Sequence, residues 1–93
     1  MITEFSTSFE RDIDKIVDSS LMNGVKKAVI SVENATTIKD IPKLRKLKGR
    51  KNGIFYRIRV GGYRIGVTIE SGLVSFARCL PRNIFYRHFP PKN

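Results

Sequence analysis

Residues 54 to 70 constrain the fold more tightly than any other part of the chain, because two alternating runs flank a central Gly61-Gly62. Ile54, Tyr56, Ile58 and Val60 fall on one side of the first run, and Phe55, Arg57 and Arg59 on the other. Past the glycines, Tyr63, Ile65, Val67 and Ile69 share a side, with Arg64, Gly66, Thr68 and Glu70 opposite. A strand sends successive side chains to opposite faces, so the pattern predicts a hairpin closed by a tight turn. If both apolar sets face a core, Arg57, Arg59 and Arg64 emerge together on the open side. Thr, Ser or Lys would serve a wet face equally well, whereas a guanidinium suits bidentate contact with phosphate or carboxylate. A solvated face and an anion site both stay open on this pattern.

The remaining elements frame that hairpin. Ser71-Gly72 makes a second turn into Leu73 to Leu80, a mostly apolar strand, and Met1 to Phe5 fits a short edge strand. Thr7 with Glu10 has the spacing of a capping box and predicts a helix start. Phe9, Ile13, Ile16, Val17 and Leu21 then recur at helical spacing, Asn23-Gly24 interrupts, and Val25, Ala28, Val29 and Val32 make a second apolar stripe to about Asn34. From Ala35 to Gly53 periodicity is weak, and Ile38, Ile41, Leu44 and Leu47 can pin a loop to the core. The expectation is one α+β domain over residues 1–93, an N-terminal helical hairpin packed on a small twisted antiparallel β-sheet. A chain of 93 residues supports a single core.

Charge divides the chain in two. Residues 1–41 carry a balance of −2 and residues 42–93 a balance of +12, with Glu70 the one acid of the second half; together they make the formal +10. Lys43, Arg45, Lys46, Lys48, Arg50 and Lys51 crowd into nine positions, as a solvated loop or as a set of phosphate contacts. Such a field attracts nucleic acid, an acidic protein or an anionic membrane. Cys79 is the single cysteine, so no internal disulfide forms, and it reads as a small core residue. No cationic-then-apolar leader and no long apolar run opens the chain, so a soluble cytoplasmic protein is expected. No metal-ligand spacing occurs, and no metal or cofactor is expected.

Three stretches carry a resemblance. LKG at 47–49, YRIRVGGYRIGV at 56–67 and PRNIFYRHFP at 81–90 resemble, in this order, the RelE/ParE superfamily of bacterial type II toxins, and in particular its RelE-like, messenger-RNA-cutting branch. The likeness is detailed over the C-terminal half and covers the helical half in layout only. It implies the RelE-like toxin fold and a metal-independent endoribonuclease that enters the ribosomal A site, cuts messenger RNA and so blocks translation. The implied partners are the ribosome, messenger RNA and a cognate acidic antitoxin, with no membrane. Carried over by motif, the family's sheet cations fall on Arg57 and Arg59, its YR arginine on Arg64, its post-strand arginine on Arg82 and its tyrosine on Tyr86. Arg59, Arg64, Arg82 and Tyr86 are then the catalytic candidates. Lys43, Arg45, Lys46, Lys48, Arg50, Lys51, Arg57 and Arg87 are the RNA-binding ones.

The residue types suit that chemistry. RNA cleavage through the ribose 2′-hydroxyl needs a proton removed there, charge neutralised on the phosphorane and a proton supplied to the departing 5′-oxygen. Arginine stays protonated and serves the middle task. Tyr86 has three readings: proton transfer, stacking on a base, or packing of the C-terminus onto the sheet. The chain departs from its relatives at Arg57 and Arg59, where some have lysine, and at Pro81, where close relatives often have histidine. His88 reads as a surface or core residue or as a proton carrier. Two other functions remain open: a ParE-like inhibitor of DNA gyrase, and a non-catalytic RNA-binding homologue.

Overall fold

The computed structural model describes residues 1–48 and 53–91. Its elements run β1 (Ile2–Phe5), α1 (Thr7–Asp14), α2 (Ser19–Asn34), a 3₁₀ turn at Ile38–Asp40, β2 (Leu44–Lys46), β3 (Phe55–Val60), β4 (Tyr63–Glu70), β5 (Leu73–Pro81) and α3 (Arg82–His88). The strands form one sheet in the order β1-β5-β4-β3-β2. Four of them are antiparallel neighbours, but β1 runs parallel to β5, with Ile2 opposite Leu73 and Phe5 opposite Phe76. The sheet is therefore mixed, not purely antiparallel. Parallel neighbours need a long connection, and here nearly the whole chain lies between the two strands, out of reach of local pattern reading.

The helical half is divided differently from its sequence pattern. Ser6, not Thr7, caps α1, its hydroxyl accepting from the Phe9 N–H at 3.0 Å. The break falls at residues 15–18, where the Asp18 carboxylate accepts from the N–H groups of Ser20 at 2.8 Å and Leu21 at 3.1 Å and starts α2. Val17 consequently leaves the apolar stripe and is 97% exposed. Gly24 lies inside α2 instead of ending a helix. A Cβ there would sit 2.8 Å from Val60 Cγ1, so the missing side chain lets α2 approach β3 closely.

The core behaves as the period-two pattern requires. Ile58, Val60, Ile65, Val67 and Ile69 are buried with Phe9, Val25, Val32, Val74 and Phe76 on the helix-covered face. The opposite face is partly covered too, because Phe85 and Phe89 join Leu80 in a second apolar cluster under α3. Their i, i+4 spacing aims both rings at the sheet. A Cβ on Gly66 would lie 2.6 Å from the Phe89 ring, so the bare backbone of β4 is the seat for that ring. The basic loop also contributes β2, a strand too short to leave a periodic signal.

One polar contact joins the helical layer to the sheet. Asp12, 6% exposed, accepts from Arg78 Nε at 2.8 Å, Arg78 Nη2 at 3.1 Å and the Cys79 N–H at 2.9 Å. The hydrogen bond to Asp12 raises the pKa of Arg78. Burial, helped by the Asp12 charge, pushes the Cys79 thiol up to about 12. Among the described residues, no helix is long and apolar enough to cross a membrane.

Asp12→Ala should lower the unfolding free energy by about 2–3 kcal/mol, less than for a fully buried pair because water reaches the guanidinium. Urea denaturation measures it, and a loss under about 0.5 kcal/mol, the ordinary surface range, would remove Asp12 from that structural role. The neutral, buried Cys79 should resist thiol reagents at pH 8 in the native protein and react once urea unfolds it.

Candidate nucleic-acid interface

The register of β3 on β4 and β2 on β3 decides which cations share a face. Arg59 stands opposite Arg64 and Arg45 opposite Arg57, so the side chains of four arginines start from one side of the sheet in two directly opposed pairs. Opposed residues have Cα atoms about 4.5–5.5 Å apart, and like charges at that separation oppose folding. Among the described residues the one ion pair is Asp12–Arg78, which leaves all four without a carboxylate.

The four are held differently. Arg57 Nη1 donates to the Lys43 carbonyl at 3.1 Å, tying β3 to the chain entering β2. Arg64, expected on the open side, is instead 9% exposed, and its Nη1 donates to the carbonyls of Gly61 at 3.1 Å and Tyr63 at 2.9 Å. Turning back onto the hairpin relieves the repulsion from Arg59 and fixes the Gly61-Gly62 turn, where Gly61 takes a φ of +54° open to glycine. Arg59 and Arg45 are exposed.

α3 brings the post-strand residues to the same turn. Its first N–H, on Arg82, donates to the Gly62 carbonyl at 2.8 Å. Gly62, Arg82, Asn83 and Tyr86 line an open depression of about 520 Å³, inside the roughly 300–1,000 Å³ range of small-molecule pockets. Tyr86 is 53% exposed and meets Phe85 edge-on at 4.9 Å. Phe85 and Phe89 do the packing, which leaves the Tyr86 hydroxyl to solvent.

Arg82 and Tyr86 thus share one depression, and Arg64 braces the turn beside it. Arg59 lines a different, smaller hollow with Lys43. Lys46 and Lys48 are exposed at the β2 edge, and Arg87 and His88 on α3. Arg50 and Lys51 lie outside the described residues. Asn83 went unnoticed in the sequence, although it stands next to Arg82 within the same motif. Asp12 was hidden among the acids of an amphipathic helix, and its position three residues after Phe9 was the available signal.

No family model matches the chain. A curated relative, Toxin RelE3 of Methanocaldococcus jannaschii, is 33% identical over 87 residues, which make up 92% of this chain and 96% of that protein. Among solved structures, a chain of the RelB-RelE antitoxin-toxin complex from Methanococcus jannaschii is similar with a TM-score of 0.76 at 28% identity, covering 92% of this chain and 98% of its own. The YoeB dimer from Staphylococcus aureus shares the fold at a TM-score of 0.69 and 19% identity, covering 86% of this chain and 94% of its own. A YafQ variant from E. coli does so at 0.67 and 17%, covering 90% and 96%.

If the opposed arginines serve a ligand and not the scaffold, removing one should help folding. Arg59→Thr keeps strand propensity, and an increase of about 0.2–1 kcal/mol in unfolding free energy is expected at low salt, shrinking as salt is added. A decrease in stability would show that Arg59 supports the sheet.

Proposed function

Because the chain belongs to the RelE family of toxins, we propose that it is the toxin of a type II toxin-antitoxin pair and cuts messenger RNA in the ribosomal A site. The observation that supports this most is the two arginine pairs set opposite each other by the strand register, without a neutralising carboxylate among the described residues, beside the Arg82–Tyr86 depression. A polyanion neutralises such a face. The basic edge at Lys43, Arg45, Lys46 and Lys48, with Arg50 and Lys51 of the same run, adds contacts along an RNA backbone. Arg57 and Arg87 extend the set on the sheet and on α3.

In the proposed reaction the ribose 2′-oxygen loses its proton and forms a bond to the adjacent phosphorus, and the bond from phosphorus to the 5′-oxygen breaks as that oxygen takes up a proton. The products carry a 2′,3′-cyclic phosphate and a 5′-hydroxyl. Arg82, exposed at the first turn of α3, neutralises the phosphorane together with Arg59. Arg64 acts chiefly through the turn it braces, since its Nη1 is already shared between two carbonyls and the residue is buried. Tyr86, which lines the depression, stacks on a base or handles one of the two protons. Pro81 leaves the position before Arg82 without a side chain able to carry a proton. The cognate antitoxin supplies acidic groups over the same cations.

Single-turnover cleavage on saturated ribosomes, with binding measured separately, tests these roles. Arg82→Ala should slow cleavage by a hundredfold or more, on the order of 3 kcal/mol of transition-state stabilisation, and Arg82→Lys should restore part of it. A comparably large loss in Tyr86→Phe assigns a role to the hydroxyl, and a small one assigns stacking. Parental cleavage by ribosome-bound Arg82→Ala would refute the proposed centre. Inhibition of gyrase supercoiling without any RNA cleavage would place the chain in the ParE-like branch instead.

A further inference from the structure

A second group of cations lies outside the Arg82–Tyr86 depression. On α2, Lys27 and Ser31 are four residues apart and so stand on one side of the helix. Together with Lys43 and Arg59 they line a hollow of about 180 Å³ at the edge of β3, with Ile58 among its walls. Lys26, the immediate neighbour of Lys27, lines the apolar groove between α1 and α2 instead. The neighbouring lysines therefore serve different surfaces. Among the described residues, none of Lys27, Lys43 and Arg59 has a carboxylate partner.

Backbone bonds hold one wall of the hollow. The Lys43 carbonyl accepts from the Arg59 N–H at 3.4 Å and from Arg57 Nη1 at 3.1 Å. Lys43 itself has a φ of +61°, a left-handed conformation that a residue with a Cβ seldom adopts. This left-handed backbone directs the chain into β2 and brings Lys43 beside Lys27 and Ser31 at a space much smaller than the first depression.

We propose that Lys27, Ser31 and Lys43 form a second phosphate subsite at the edge of β3, which holds a backbone phosphate of RNA away from the bond that is cut. The proposal rests on the RNA-cleaving reading for the identity of its ligand. Arg59 connects the two places, because it stands opposite Arg64 at the hairpin turn and also lines the hollow. A phosphodiester carries one negative charge and two free oxygens, which match several short-range donors. An acidic side chain of a protein partner is the competing occupant.

The test uses the full chain and a short RNA oligonucleotide with a single 2′-deoxy substitution that blocks cleavage, titrated over a salt series. Lys27→Ala should weaken binding and flatten the slope of log affinity against log salt by about 0.7, the contribution of one single-strand phosphate contact. Lys43→Asn should flatten it as much, since asparagine tolerates the left-handed backbone. Lys26→Ala should leave the slope at the parental value. An unchanged slope in Lys27→Ala, an equal flattening in Lys26→Ala, or no binding of the oligonucleotide by the parental chain would each overturn the subsite. If Lys27 contributes to the slope while the parental chain cuts nothing on ribosomes, the subsite stands and the cleavage reading fails.

Discussion

The pairing of β3 with β4 across Gly61-Gly62 is the constraint on which the rest of the molecule depends. Opposing Ile58 to Ile65 sends both into the core, and the same register necessarily opposes Arg59 to Arg64 on the other face. A slip of one residue would exchange the two sets, burying arginines and exposing isoleucines. Desolvating even one unpaired guanidinium costs several kcal/mol, far more than the repulsion between opposed cations. The hydrophobic set thus enforces the cationic one, and repulsion along the face is the lesser cost of a register that the core demands.

A second consequence follows on the arginine face. Gly66, opposite Arg57, leaves bare backbone onto which the Phe89 ring settles, and Phe85 fills the space beside it. α3 has only seven residues and would not hold its shape alone. These two rings and the bond from the Arg82 N–H to the Gly62 carbonyl fix it across the sheet. Arg82 and Tyr86 are thereby carried to the turn that Arg64 braces. The helical layer contributes from the other side, where Asp12 ties α1 to the C-terminal part of β5 through Arg78 and Cys79.

Much of this was legible in the sequence, and the gaps have physical causes. Period-two alternation located β3 and β4 and sorted their faces, because a half-buried strand leaves its burial pattern in adjacent residues, and a turn followed by a mostly apolar run located β5. Its resolution ended where the information is not local. The parallel partner of β1 lies some seventy residues away. The sequence pattern puts the break between the helices at Asn23-Gly24, whereas Asp18 caps α2 and Gly24 lies inside it, close against Val60. Arg64 was expected in the open and is buried, because alternation gives a side chain its face but not its rotamer. α3 was hidden in a motif read for its charges, although Phe85 and Phe89 had helical spacing. The grouping of Lys27 with Lys43 and Arg59 joins α2 to the basic segment through the tertiary fold alone.

The sheet, α3 and the cationic edge together make a surface suited to binding an RNA strand and moving charge at one phosphate, and the ends of the cut RNA report on that chemistry directly. Messenger RNA cleaved in a purified translation system by the parental chain should carry a 2′,3′-cyclic phosphate upstream of the cut and a 5′-hydroxyl downstream, as attack by the ribose 2′-oxygen requires. Ends bearing a 5′-phosphate and a free 3′-hydroxyl would mean that water, not the neighbouring ribose, attacks phosphorus, and would contradict the centre assigned to Arg59, Arg82 and Tyr86.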